Sequence, residues 1–161
     1  WIFSEQVIER LPTDRFTRVE ETLFPDLVKE EKAIIGIKDN DAYWADLGTP
    51  EALLMGASYM RRSTNPLINE KAEIEFDAEI SDSEIGAYTT VSSNAIISNS
   101  LIWDSVVVGP NTEICDSIIG NNAIIGENVR LSGAVIGPYV QVPSGFRVKN
   151  SVMKSQKESR Y

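Results

Sequence analysis

The stretch Ile102-Trp103-Asp104-Ser105-Val106-Val107-Val108-Gly109-Pro110-Asn111-Thr112-Glu113-Ile114-Cys115-Asp116-Ser117-Ile118 carries aliphatic residues at Ile102, Val108 and Ile114, and Ile119 opens the next unit. The spacings are 6, 6 and 5, a period of 17 residues. The same spacing runs back through Ile97, Val91, Ile85, Ile80 and Ile74 to Ile68, and forward through Ile125, Leu131, Ile136 and Val142 to Val148. All fifteen positions hold Ile, Val or Leu. A fixed period of this length is the mark of a solenoid. Three short strands per unit, each ended by a tight corner, close one triangular coil. The fold class expected is therefore mainly β, a parallel β-helix of hexapeptide-type repeats with 17-residue coils. Five coils, from 68 to 152, would rise roughly 24 Å at about 4.8 Å per coil. All fifteen aliphatic side chains are expected to point inward.

The intervening residues agree with this reading. The short rungs Ile80-Ser81-Asp82-Ser83, Ile97-Ser98-Asn99-Ser100, Ile114-Cys115-Asp116-Ser117 and Leu131-Ser132-Gly133-Ala134 align, with a small residue in fourth place for an interior corner. In the six-residue rungs a glycine often follows the aliphatic residue: Gly86, Gly109, Gly120, Gly126 and Gly137. Asp77, Asn94, Asn111, Asn122, Asn128 and Gly145 stand where a left-handed corner residue is needed, and these types tolerate positive φ.

Residues 1–66 lack the period. Trp1-Ile2-Phe3 reads as the end of a strand, Ser4 as the cap of a short helix to Leu11, and Phe24 to Glu30 as a second helix. Ala33 to Ile37 and Ala42-Tyr43-Trp44 read as strands around an Asp39-Asn40-Asp41 turn. Thr49 caps a third helix with Pro50 at its first position and Glu51 in its first turn, and Arg61 and Arg62 close it. The expected organisation is an incomplete α/β segment over 1–66, a β-helix over 67–153 and a polar tail over 154–161. The chain opens on Trp1, which reads as a trimmed or partial chain.

Composition excludes much chemistry. The chain has 161 residues and a formal net charge of −9, with no histidine and one cysteine. An acidic balance argues against nucleic acid and against anionic membrane surfaces. No apolar run is long enough to span a bilayer. Without histidine there is no Ser-His-Asp or Cys-His catalysis and no histidine-ligated zinc. A lone Cys115 makes no intrachain disulfide, and a reducing cytoplasm is the default compartment.

The sharpest local motif is Tyr43-Trp44-Ala45-Asp46-Leu47-Gly48-Thr49-Pro50-Glu51. It sets a carboxylate, Asp46, before a glycine turn and a capped helix. Such a carboxylate suits a hard divalent cation or a sugar hydroxyl. It equally suits a plain turn aspartate, and spacing alone leaves both readings open.

The motif resembles the W-x-D-x-G-T-P signature that closes the catalytic domain of sugar nucleotidyltransferases, such as mannose-1-phosphate guanylyltransferases and glucose-1-phosphate nucleotidyltransferases. Trp1-Ile2-Phe3-Ser4 and Phe24-Pro25-Asp26-Leu27 are similar to two further segments of that family, and the 17-residue repeat resembles its C-terminal left-handed β-helix. The resemblance implies left-handed coils and a role for Asp46 in holding Mg²⁺. It also implies Trp44, Gly48 and Thr49 near substrate, with Trp44 packing the domain floor and the other two shaping turn and cap. NTP and sugar 1-phosphate are the implied substrates: a sugar-phosphate oxygen attacks the α-phosphorus in line and pyrophosphate leaves. A homo-oligomer is the expected state. The family's glycine-rich nucleotide loop and its other metal aspartate are missing, so the resemblance implies a C-terminal portion that is inactive alone, with a β-helix serving assembly or regulation.

Two alternatives stand beside it. A non-catalytic β-helix assembly or regulatory protein shares the repeat. A hexapeptide acyltransferase also shares it, but enzymes of that kind use a histidine base and a long external loop, and both are absent here. Cys115, aligned with Ser81, Ser98 and Ser132, reads as a small packed side chain. Lys29-Glu30-Glu31-Lys32 reads as a solvated helix end. Trp103 takes the place held by Gly86, Gly120 and Gly137, so it should project from the solenoid wall.

Overall fold

The computed structural model describes residues 2–32, 35–36, 42–61 and 65–155. It divides into two compact units, Trp1–Tyr43 and Trp44–Tyr161. In the first, helix α1 spans Glu5–Ile8 and helix α2 spans Leu23–Lys29. Ser4 stands at the N-cap of α1, though its hydroxyl makes no capping bond. Leu23 and Leu27 are buried, and the Phe3 and Phe24 rings meet at 6.1 Å. Arg10 forks onto Glu30 with bonds of 2.9 and 2.7 Å, and that donation holds the Glu30 carboxyl below its ordinary range.

No strand precedes Leu67 among the described residues. The strand expected at Ala42-Tyr43-Trp44 is replaced by irregular chain. Alternation alone does not make a strand; a ladder partner must satisfy its backbone groups. Of the strand expected over 33–37, residues 33, 34 and 37 lie outside the described residues, as do the 39–41 turn, Trp1 and Arg62.

The second unit opens on helix α3, Pro50–Arg61, and continues as the solenoid. Among the described residues sixteen short strands form three all-parallel sheets, so each coil contributes one strand to each of three faces. The first face stacks six strands, and the second and third stack five each. Partners in every ladder are 17 residues apart, as in Ile85↔Ile102, Val91↔Val108 and Ile97↔Ile114. The coils wind as a left-handed parallel β-helix of the hexapeptide-repeat kind.

The aliphatic columns form the core. From Ile85 to Val142 every column residue is at most 3 % exposed. Ile74, Ile80 and Val148 are half-buried, and Ile68 is 41 % exposed. These four stand in the terminal coils, which have a neighbour on one side only. The column also extends one coil further than the aliphatic search reached, since Met153 pairs in register with Ile136.

A second inward column lies two residues before the first. It holds Thr89, Ala95, Ser100, Val106, Thr112, Ser117, Ala123, Val129, Ala134 and Val140, all buried. Its hydroxyls are bonded on both sides. Ser83 Oγ donates to the Ser81 carbonyl at 2.7 Å and accepts the Ser100 N–H at 3.1 Å. Ser100 repeats this with Ser98 and Ser117, and Ser117 with Cys115 and Ala134. Thr89 and Thr112 do the same at the other two corners, serving the N–H groups of Val106 and Val129. The hydroxyl thus bridges two coils where the backbone turns away from its ladder, and no buried donor is orphaned there.

The corners require positive φ. Asn94, Asn111, Asn122, Asn128 and Gly145 adopt it as expected, and Asp77 does not. The short rungs turn the same way at Asp82, Asn99, Asp116, Gly133 and Asn150. Tyr88, Ser105 and Tyr139 occupy the same conformation at φ 58°, 57° and 61°, because their register leaves no alternative. Gly109 meets a different demand: a Cβ there would lie 2.6 Å from the Gly126 carbonyl carbon.

Two stability outcomes follow from these contacts. Ser117→Ala leaves the buried Ala134 N–H without an acceptor and should cost about 1–3 kcal/mol, read as a lower denaturant midpoint at unchanged slope. Tyr139→Asn relieves a left-handed β-carbon at an exposed corner and should gain up to about 1 kcal/mol, read as a higher Tm.

Candidate functional site

The Trp44–Glu51 segment is built around a helix start. Thr49 is the N-cap of α3, and its Oγ1 accepts the Ala52 N–H at 3.2 Å while its carbonyl accepts the Leu53 N–H at 3.0 Å. Pro50 fills the first helical position, where a missing N–H costs nothing. Just upstream, Asp46 Oδ1 accepts the Gly48 N–H at 3.1 Å, closing a side-chain turn over Leu47. Leu47 folds back on the helix at Gly56: a Cβ on that glycine would meet Leu47 Cδ2 at 2.8 Å. The sequence therefore fixes the Asp46 turn locally, through one carboxylate bond, one cap and one close approach.

Asp46 is exposed, as are Gly48 and Thr49. Its second oxygen is a hard anionic ligand of the type Mg²⁺ takes, and one such ligand fits a site that draws its remaining oxygens from water and phosphates. Among the described residues no three His, Cys, Asp or Glu side chains converge as a metal cage. Trp44 is 81 % exposed.

At the other end of α3, Arg61 is almost fully buried and reaches Asp82 and Glu84 of the first coil, both at 3.8 Å. The sequence marked Arg61 as a favourable charge at a helix end. Its second role, tying the helix to the solenoid, depends on a coil register that helix propensity does not carry.

Trp103 is half-exposed at 46 % and borders a groove of about 570 Å³ with Leu67, Glu84, Gly86, Leu101 and Asn121. Leu101 and Ile118 point away from the core by register and are nevertheless buried. On the third face, a smaller groove of about 320 Å³ gathers Cys115, Arg130, Ser132, Arg147 and Lys149. This concentration of cations escaped a reading based on net charge. No described helix is long and apolar enough to cross a membrane.

Residues 57–148 match the family model described as EIF2B subunit epsilon LbH domain. A mannose-1-phosphate guanylyltransferase of Mycobacterium tuberculosis (strain ATCC 25618 / H37Rv) is 33% identical over 66 residues, which is 41% of this chain and 18% of that protein. The chain therefore spans less than a fifth of the curated relative. Among solved structures, a hexapeptide transferase family protein from Anaplasma phagocytophilum aligns with TM-score 0.49 and 20% identity over 56% of this chain and 70% of its own. Serine acetyltransferase isoform 3 from Entamoeba histolytica, in complex with cysteine, aligns with TM-score 0.44 and 16% identity over 89% and 60%.

The cap can be tested alone. Thr49→Ala removes the bond to the Ala52 N–H and should lower stability by about 1 kcal/mol, whereas Thr49→Ser should keep most of it; thermal unfolding of the two variants side by side reads the difference.

Proposed function

Since the chain belongs to the EIF2B subunit epsilon LbH domain family, we propose that its solenoid serves as the C-terminal module of a sugar-1-phosphate nucleotidyltransferase. The observation that carries the reading is the Trp44–Glu51 segment, where Asp46 stands exposed in front of a capped helix. The stretch that is 33% identical to a mannose-1-phosphate guanylyltransferase supports it.

In this reading the substrates are an NTP and a sugar 1-phosphate, and the product besides the nucleotide sugar is pyrophosphate. Asp46 offers its carboxylate to Mg²⁺, and Gly48 and Thr49 hold that carboxylate in place through the turn and the cap. Trp44, exposed beside it, lies where a ring could face substrate. The metal, when bound, supplies charge neutralisation between phosphates. The nucleotide loop and a second carboxylate come from outside these residues, so this chain alone releases no pyrophosphate.

A second reading has its own support. The matched family region, 57–148, covers most of the solenoid and leaves out Asp46, and its description names a subunit. A non-catalytic β-helix used for assembly or regulation satisfies that match fully.

The two readings separate by experiment. The coding sequence ahead of Trp1 should contain a glycine-rich loop followed by an arginine. The protein carrying it should release pyrophosphate from an NTP and a sugar 1-phosphate in the presence of Mg²⁺. Asp46→Asn, which keeps the turn acceptor and removes the charge, should lower turnover by on the order of a hundredfold. Near-normal turnover of that variant at low Mg²⁺ would leave Asp46 as a turn residue. Absence of the loop would favour the assembly module.

A further inference from the structure

The third face of the solenoid is built from five three-residue strands, Glu79–Ser81, Ile96–Ser98, Glu113–Cys115, Arg130–Ser132 and Arg147–Lys149, stacked in that order. Ladder register gives it two outward columns. One reads Glu79, Ile96, Glu113, Arg130, Arg147, and the other Ser81, Ser98, Cys115, Ser132, Lys149. Glu79, Arg147 and Lys149 are exposed, and Ile96 is 44 % exposed. In the middle, Arg130 already pairs with Glu113 at 2.9 Å. Among the described residues Glu79, Arg147 and Lys149 have no ion pair.

Charge is sorted along the axis. Residues 68–84 hold seven carboxylates and one lysine, a net of −6. Residues 129–155 hold four cations, Arg130, Arg147, Lys149 and Lys154, and no carboxylate. Arg130 and Arg147 are direct ladder partners of like charge, and Glu113 neutralises Arg130 while Arg147 has no ion pair among the described residues.

We propose that this face is an isologous docking surface for a second copy of the chain, packed face to face with its solenoid axis reversed. A two-fold axis parallel to the central strand Glu113–Cys115 reverses coil order and sets each column against itself. Glu79 then faces the partner's Arg147, and Ile96 lies along the aliphatic stem of the partner's Arg130. Ser81 faces the partner's Lys149, and Ser98 the partner's Ser132. The two Glu113 carboxylates approach at the axis, each already bridged by its own Arg130. Cys115 faces the partner's Cys115.

The opposite arrangement, with axes parallel, sets acidic coil against acidic coil and basic against basic, and like charges in an interface oppose association. The serine and cysteine column is low, so two such sheets can approach to about 10 Å. The face measures roughly 20 by 10 Å from five strands of three residues. That area is below a standard interface, so the dimer is weak and concentration-dependent.

The test uses this chain and its charge reversals, each checked for fold by circular dichroism. Sedimentation over a concentration series should show a reversible dimer, and a short bismaleimide should link it through Cys115. Glu79→Arg alone and Arg147→Glu alone should each cut the dimer fraction about tenfold. An equimolar mixture of the two variants should restore it, because both pairs between positions 79 and 147 in the mixed dimer are again of opposite sign. Cys115→Ser should abolish the cross-link and leave the dimer. Three outcomes overturn the proposal: a monomer at every concentration, a mixture no better than the single variants, or a dimer that does not cross-link at Cys115. Phosphate binding lost in Arg147→Glu, with no dimer in the unaltered chain, would instead make the basic end an anion site.

Discussion

Each strand of the solenoid donates its N–H groups to the strand one coil further on, and the rest of the second unit depends on those bonds recurring every 17 residues. The Glu84 N–H meets the Ser100 carbonyl, the Leu101 N–H the Ser117 carbonyl, and the Ile118 N–H the Ala134 carbonyl, all within 3.0 Å. A two-residue strand cannot be stable by itself. It exists because a strand of the same length lies above it and another below, with an aliphatic side chain from each stacked inside. The terminal coils show the converse, since the inward Ile68 and Met153, with a neighbour on one side only, are less fully covered, Ile68 at 41 % exposed and Met153 half-buried.

The ladder cannot continue around a corner, and the chain solves this in two ways. A left-handed residue turns the backbone, and its N–H still reaches the preceding coil, as Asn122 does to Asp104 at 3.0 Å. A buried hydroxyl then bridges the gap the turn creates. Serine and threonine in this core are therefore structural acceptors, and replacing them by alanine removes a hydrogen bond rather than a polar defect. The helix that precedes the first coil is joined to it by charge and not by a further hydrogen-bonded corner: Arg61 turns its guanidinium inward toward Asp82 and Glu84, both at 3.8 Å.

The aliphatic columns were legible because their period is long, unbroken and independent of any single propensity. The hydroxyl column was only partly legible. Ser83, Ser100 and Ser117 read as small corner residues, but Thr89 and Thr112 look like surface polars until the register shows them inward. Met153 escaped because the column was read on Ile, Val and Leu alone, although a flexible thioether fills an end coil well. Tyr88 and Tyr139 could not be read as left-handed, since sterics disfavour that conformation for them and only the coil spacing enforces it. At the candidate site the cap and the turn were legible from Asp46 to Glu51, because both are local. The exposure of Trp44 was not, because what a tryptophan packs against depends on residues distant in sequence.

The sorting of charge between the two ends gives the solenoid a permanent electric dipole along its axis. A chain whose sum is strongly negative therefore does not behave as a uniformly negative body at close range. Within a Debye length, about 8 Å at physiological ionic strength, an approaching surface sees the local end and not the total. In an external field gradient the solenoid rotates so that its last coil leads toward negative potential and its first coil toward positive. Encounter with any charged body is thus orientationally biased before contact, and the bias fades as salt shortens the reach of each end.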